Sequence, residues 1–188
     1  MNGEPLRAMV ARAADGDEVA FARIVAAHHD DMARVAYVMC GDVDIAQEAV
    51  QSAWTKAWTK LDSIRETDRL KPWLVSIAAN EAKQLVRSRS RRRVREIPMP
   101  DSPADGPEPV ASKRSASNPA DRVVDLDLAA ALETLDETDR TLVALRYAAG
   151  LTSDEIGRVI GMTGGGVRAR LARLLDRLRT ELDDDDPA

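Results

Sequence analysis

The sequence predicts an all-α protein of two helical modules joined by a flexible linker, and three observations predict it. Apolar residues recur at helical spacing in both halves, and no stretch alternates as a strand does. Aromatics make up only 3% of the 188 residues, so a core must be built from Ala, Leu, Val and Ile, which suits helix-on-helix packing. Between the halves, residues 97–120 read IPMPDSPADGPEPVASKRSASNPA, with six prolines and no helical period. Such a composition buries too little apolar area to offset the entropy of ordering it. The expected division is therefore a first module over 1–96, a linker over 97–120, a second module over 121–182 and an acidic tail over 183–188.

A first helix is predicted over roughly 5–14. A second starts at Asp17, a good N-cap, carries Phe21, Ile24, Val25, Met32, Val35 and Val38, and stops at Gly41. A third covers about 42–60 and turns Val50, Ala53, Trp54, Ala57 and Leu61 inward. The stretch LDSIRETDRLK (61–71) is a polar connector. A fourth helix opens with Pro72, which suits a first turn, and runs toward Arg93 with Leu74, Ala78, Ala82 and Leu85 inward.

The second module begins with apolar periodicity at Val123, Leu126, Leu128, Leu132 and Leu135. Asp136 is placed to cap a helix holding Leu142, Val143, Leu145 and Tyr147, which ends at Gly150. Thr152 and Glu155 form a capping box for a short helix with Ile156, Val159 and Ile160. After a turn at Gly161 a long helix spans about 163–182, with Val167, Leu171, Leu174, Leu175 and Leu178 on one stripe. A short helix, a glycine turn and a long arginine-bearing helix make a helix-turn-helix pattern.

The formal charge of −5 conceals a pattern. Residues 1–96 hold sixteen Lys and Arg against fourteen Asp and Glu, and 121–188 hold nine against fifteen. Bases cluster from Lys83 to Arg95 and again from Arg168 to Arg179. A net-acidic chain with two basic stripes is a poor non-specific coat for nucleic acid and fits a site-specific binder that draws affinity from elsewhere. A single cysteine excludes an intramolecular disulfide, and with only two adjacent histidines a structural zinc site is disfavoured. Cys40 reads as a core thiol, and GMTGGG lacks the lysine and the strand of a phosphate loop. The expectation is a protein with no catalytic centre, no cofactor and no metal. No apolar run approaches the ~20 residues of a membrane span, and the first residues lack a secretory signal, so a cytoplasmic chain without membrane insertion is expected.

Each basic or acidic face has a chemistry. Opposite the leucine stripe of the last helix lie Arg168, Ala169, Ala172, Arg173 and Asp176, with Arg170 and Arg177 at the margins. Small residues beside arginines let a helix sit deep in a major groove, where Arg reaches guanine O6 and N7 or a phosphate. A solvated face is the alternative. Gly164, Gly165 and Gly166 at its start either free backbone N–H groups for a phosphate or fray. On the fourth helix Ser76, Asn80, Lys83, Gln84 and Arg87 line the polar side, with Trp73 and Arg91 at its edge. That face suits nucleic acid, and Trp73 is either a stacking indole for an unpaired base or a half-buried core aromatic. The arginine run 87–95 suits a phosphate track. On the third helix Asp44, Glu48, Gln51, Ser52 and Thr55 face out. An acidic and amide stripe repels DNA, so it either meets a protein with a basic surface or is an ordinary wet face.

DIAQEAVQSAWTKAW (44–58) and DSIRETDRLKPWLVSIAANEAKQLVRSRSRR (62–92) resemble regions two-point-two to two-point-four of extracytoplasmic-function sigma factors, and 135–179 resembles their region four. The resemblance implies a bacterial subunit that lends promoter specificity to core RNA polymerase. It implies that the 44–58 helix docks on the polymerase clamp through Asp44, Glu48, Gln51, Ser52 and Thr55, with Ser52 standing where an acidic residue is common. It implies that the 62–71 loop, including Ser63, Ile64, Arg65 and Lys71, pockets a flipped base of the minus-ten element. Trp73, Ser76, Asn80, Lys83, Gln84, Arg87 and Arg91 would then line the melted strand. Thr163, Gly164, Arg168, Ala169, Arg170 and Arg173 would meet the minus-thirty-five element, with Gly166 replacing the usual Thr and Ala172 a larger residue. Promoter DNA, core polymerase and, commonly in the family, an anti-sigma factor are the implied partners. The alternative readings are a polymerase-independent helix-turn-helix regulator and a protein-interaction adaptor.

Overall fold

Side-chain caps set most of the helix starts. A computed structural model describes residues 5–64, 66–95 and 134–184, without the side chains of 93–95 and 181–184. Helix α1 is Leu6–Ala14 and α2 is Glu18–Cys40. Asp17 caps α2 by accepting from the N–H groups of Val19 and Ala20, and Gly41 ends it at a left-handed φ of 68°. The Ala20 N–H and the Arg12 guanidinium hold the Asp17 carboxyl below the ordinary carboxylate range. Helix α3, Val43–Lys60, starts at Asp42, which accepts from the Ile45 N–H. The connector after it is two short 3-10 turns, Leu61–Ser63 and Thr67–Arg69, and α4 is Leu70–Arg95. Helix α4 thus opens two residues before Pro72, because the second 3-10 turn feeds directly into it. Pro72 lies in the first turn, where its missing N–H would have had no partner in any case.

In the second module α5 is Glu137–Val143, capped by Asp136, and continues as one π turn over Ala144–Ala148. Leu142, Ala144 and Leu145 are buried, and Tyr147, on the far side of the helix from Leu142 and Leu145, is exposed. Helix α6, Ser153–Ile160, carries the Thr152–Glu155 capping box. The Thr152 hydroxyl and N–H draw the Glu155 carboxyl below its ordinary range. Helix α7 is Gly164–Asp184. It enters the segment expected as an acidic tail, since the first helix breaker there is Pro187. The linker, Val123 to Leu132, Arg65 and the last four residues lie outside the described residues.

One apolar cluster runs through both modules. Ile24, Met32 and Val35 of α2 meet Val50, Ala53 and Ala57 of α3 and Leu74, Ala78 and Ala82 of α4. Leu142, Leu145 and Ile156 join it from the second module. Leu61 and Leu70 are both 1% exposed and pin the two ends of the connector. Alanines at the crossing points let the helices approach closely while the long side chains fill between them. Within the second module, Asp139 is buried and accepts from Arg170 Nε at 2.6 Å, with Arg177 at 3.3 Å. Gly157 holds the helix-turn-helix tight: a Cβ there would stand 2.4 Å from the Met162 carbonyl oxygen. Gly161 closes α6 at φ 75°.

Candidate nucleic-acid and protein interfaces

Three faces of this framework carry exposed polar chemistry. On α3, Asp44, Glu48, Gln51 and Thr55 are exposed and Ser52 is half-buried. Glu48 lies 3.3 Å from Arg89 of α4, and the Thr55 hydroxyl donates to the Gln51 carbonyl. Beside this stripe an open apolar groove of about 940 Å³ runs between α2 and α3, lined by Phe21, Val25, Tyr37, Val50, Trp54 and Trp58 among others. Phe21 meets Trp54 and Trp58 edge-to-face, with centroids 5.7 and 4.7 Å apart. The Trp54 indole donates to His29 Nδ1 at 3.4 Å. Sequence periodicity assigns Phe21 and Trp54 to the core, but both line this groove as well, and it gives Trp58 no role. The missed signal is the i, i+4 pair of tryptophans on one flank of α3.

Cys40 carries no reactive chemistry. Burial pushes its thiol above the ordinary range, and its Sγ donates to the Ala36 carbonyl. Among the described residues no group of His, Cys, Asp and Glu is placed to hold a metal ion.

The connector and α4 form the second face. Ser63, Ile64, Glu66, Arg69, Pro72, Trp73 and Ser76 line a cavity of about 500 Å³, which α6 closes with Glu155, Arg158 and Val159. Trp73 is half-buried: it packs on the core and shows an edge to this cavity. The Ser63 and Ser76 hydroxyls both donate to backbone carbonyls, of Lys60 and Trp73. Lys71 is turned away from the cavity and pairs with Asp31 at 2.7 Å. Asn80 and Gln84 are exposed, Lys83 and Arg87 both reach Glu137, and Arg91 donates to the Arg87 carbonyl.

The third face is the outer side of α7. Arg168, Ala169, Ala172 and Arg173 are exposed together. Arg173 forms no ion pair among the described residues, and Arg168 lies 3.6 Å from Asp154. Leu175, expected in the buried stripe, is 40% exposed because it falls two turns beyond Arg168 on nearly the same side. Arg170 is on the opposite flank, held by Asp139 and by Asp136 at 3.0 Å, so the structure separates it from Arg168 and Arg173. At the helix start the Thr163 hydroxyl accepts from the Gly166 N–H at 3.1 Å, so one of the backbone donors of the glycine run is already used. A Cβ on Gly164 would fall 1.7 Å from an oxygen of Asp154 and 3.3 Å from its Cα, which explains a small residue there.

The sigma-70 region 2 family model matches residues 24–92, and the sigma-70 region 4 model matches 131–180. The ECF RNA polymerase sigma factor SigW of Bacillus subtilis is 30% identical over 177 residues, which cover 90% of this chain and 92% of that protein. The chain belongs to the extracytoplasmic-function sigma factors. The ECF RNA polymerase sigma-E factor of Escherichia coli is 31% identical over 88% of the chain and 87% of its own length. A probable RNA polymerase sigma factor of Xanthomonas campestris, RfaY, is 30% identical, and the chain spans 46% of its length. Among solved structures, CnrH in complex with the cytosolic domain of CnrY is 26% identical with a TM-score of 0.69, over 96% of this chain and 98% of that one. The sigma factor RpoE of Bartonella quintana, in complex with the anti-sigma factor NepR, is 25% identical with a TM-score of 0.65, over 88% and 98%. Sigma factors are transcription-initiation factors that act with core RNA polymerase on promoter DNA. No described helix of this sigma factor is long and apolar enough to cross a membrane.

Proposed function

We propose that the three faces divide the work of promoter recognition and opening between them. The module over 1–96 holds core polymerase and the minus-ten element, the module over 121–182 reads the minus-thirty-five element, and 97–120 tethers them. On α3 the stripe of Asp44, Glu48, Gln51, Ser52 and Thr55 sets register on a basic polymerase surface. The aromatic groove beside it supplies the dry centre that such an interface needs. The 62–71 connector, to which Arg65 belongs in sequence, receives an unstacked base in the cavity lined by Ser63, Ile64 and Trp73. Asn80, Lys83, Gln84, Arg87 and Arg91 hold the backbone of the melted strand. Arg168 and Arg173 of α7 enter the major groove, with Ala169 and Ala172 allowing close approach. Thr163 and Gly164 bring the start of α7 to a phosphate. Lys71 and Arg170 serve the fold, through Asp31 and Asp139. No catalytic step is asked of the chain, and it acts where polymerase acts, in the cytoplasm.

The observation that carries this reading is the presence of three chemically distinct faces on one helical frame, anionic on α3, cationic and amide on α4 and cationic on α7. The test reverses charge at Asp44 and Glu48 together, Asp44→Lys with Glu48→Lys. Capture by core polymerase should fall at least tenfold, roughly the cost of placing like charges across an interface, with the melting temperature little changed. Undisturbed capture refutes the assignment of α3. Adding the wild-type protein to core polymerase on a promoter library, then sequencing the transcripts, should give new discrete start sites. A polymerase-independent regulator gives none.

A further inference from the structure

The glycine run that opens α7 lies against an acidic residue of α6. Asp154 stands in the first turn of α6, and its carboxylate lies over the first residue of α7. A Cβ on Gly164 would fall 1.7 Å from one carboxylate oxygen and 2.8 Å from the carboxyl carbon, so the seat exists only because residue 164 has no side chain. The starts of two helices meet there, and both attract negative charge. Arg168 lies one turn further along α7, and a helical side chain reaches back toward the N-terminus. Its guanidinium comes to rest over the glycines. Nη1 is 3.6 Å from the same Asp154 oxygen, and Nη2 is 3.9 Å from where a Cβ of Gly165 would be. Both side chains stay in water, Arg168 63% and Asp154 70% exposed, so the pair adds little to folding. Its effect is on where the guanidinium points.

We propose that Asp154 is a positioning residue for promoter recognition, holding Arg168 so that its free edge meets a single guanine of the upstream element. The inference rests on the reading of Arg168 as a major-groove contact. A guanidinium has five N–H donors in a rigid planar fork. With Nη1 turned to Asp154, Nε and Nη2 remain as a pair of donors, the arrangement that guanine O6 and N7 accept. A guanidinium without an anchor also sweeps the phosphates on either side, and those contacts carry no sequence information. Asp154 opposes that second use twice, by holding the fork and by repelling phosphate with its own charge. It lowers affinity and raises selectivity. The same geometry gives the glycine run a purpose that offsets its poor helix propensity: Gly164 leaves room for the carboxylate, and Gly165 leaves the surface under the guanidinium bare.

The test uses holoenzyme assembled from core polymerase and the full chain on a promoter recovered from the transcript library, with every base pair of the upstream element substituted in turn. Asp154→Ala should lower the preference for the cognate base at one position about two- to fivefold, the range of an exposed ion pair, and leave the other positions unchanged. Binding to random-sequence duplex should hold or rise by about twofold, since a charge that repels phosphate is gone. Arg168→Ala should abolish the same preference. Adding Asp154→Ala to it should change nothing more, the mark of a residue that acts through another. Gly164→Ala, which keeps the carboxylate but takes its seat, should reproduce the loss at that position. A uniform loss across all positions, a preference that survives Asp154→Ala or Gly164→Ala, or a further loss in the double variant overturns the positioning role. If Arg168→Ala itself leaves every preference intact, the reading of Arg168 as a groove contact fails, and the positioning role with it.

Discussion

Arg170 and Arg173 stand three residues apart on one arginine-rich helix, yet Arg170 is held by Asp136 and Asp139 while Arg173 is exposed, and on the proposed reading their alanine variants should separate cleanly. Arg170 Nε is 2.6 Å from a carboxylate oxygen of Asp139, and its other nitrogen is 3.0 Å from Asp136. The Asp139 side chain is 9% exposed, so its charge depends on these partners. The hydrogen bond to Asp139 raises the Arg170 guanidinium further above its already high range. A charged hydrogen bond contributes about 1.5–3 kcal/mol. Removing one partner of a fully buried pair costs about 3–5 kcal/mol, but Arg177 remains 3.3 Å from Asp139 and lessens the loss. Arg170→Ala should therefore cost about 2 kcal/mol of folding free energy. For a cooperative unit of this size that lowers the melting temperature by about 4–8 °C. Arg173→Ala should leave the melting temperature within about 1 °C, since exposed substitutions rarely exceed 0.5 kcal/mol, and should cost about 1–3 kcal/mol of binding at the upstream promoter element. Differential scanning fluorimetry and holoenzyme binding to a promoter recovered from the transcript library measure the two effects. A thermally silent Arg170→Ala that weakens only DNA binding refutes the assignment of Arg170 to the fold.

Two further predictions concern the frame. Gly157→Ala drives a methyl to 2.4 Å from the Met162 carbonyl, a backbone atom that cannot swing aside, and should destabilise by about 1–3 kcal/mol. Gly165→Ala meets only the tip of Arg168, at 3.9 Å, and should be neutral or gain up to about 1 kcal/mol; equal melting temperatures for the two variants would show that the helix-turn-helix backbone gives way. The caps set the acid behaviour. Backbone N–H groups, led by that of Asp139, hold the Asp136 carboxyl below its ordinary range, and the carboxyls of Asp17 and Glu155 are lowered too, the latter first by the Thr152 hydroxyl. Folded values below the unfolded ones add stability that is complete above the unfolded range near pH 4 and vanishes as pH falls through the folded values. The melting temperature should decline gently below about pH 6.5, where the unfolded chain protonates His28 while burial keeps it neutral in the folded one, then fall steeply below about pH 4. Asp136→Asn, which keeps a capping oxygen without the charge, should make that fall shallower, and an unchanged acid slope would exclude the cap as a cause.

Legibility in the sequence follows locality. Asp17, Gly41, Asp136, the Thr152–Glu155 box and Gly161 act within a few residues of themselves, so spacing alone places those helix ends. Core stripes are legible for the same reason: Val50, Ala53 and Ala57 recur at helical spacing and are buried. What is not legible depends on partners far along the chain. Arg170 and Arg173 look alike in sequence, and only Asp139, brought by α5, tells them apart. Lys71 looks like part of a basic connector until Asp31 of α2 takes it. The π turn over Ala144–Ala148 is announced by no residue spacing. The aromatic groove arises from the lie of α2 against α3, so periodicity counts Trp54 as core and gives no warning that its edge is open.

The arrangement of ion pairs explains why a chain with two basic stripes need not be a strong DNA binder by itself. Affinity for a duplex grows with the number of phosphates neutralised and counterions released. Of the cations on α4, Lys83 and Arg87 face Glu137 and Arg89 faces Glu48. On α7, Arg170 and Arg177 serve Asp139, and Arg168 lies near Asp154. Each of these cations must leave an internal carboxylate before it can neutralise a phosphate, so the gain per contact is reduced by the pair it gives up. The net charge of −5 adds a general repulsion. Two modules weakened in this way bind tightly only when a third body fixes the distance between their two DNA elements and turns the second encounter into an intramolecular one. On the proposed reading core polymerase is that body, and the internal carboxylates that lower the affinity of each module would make promoter binding conditional on it.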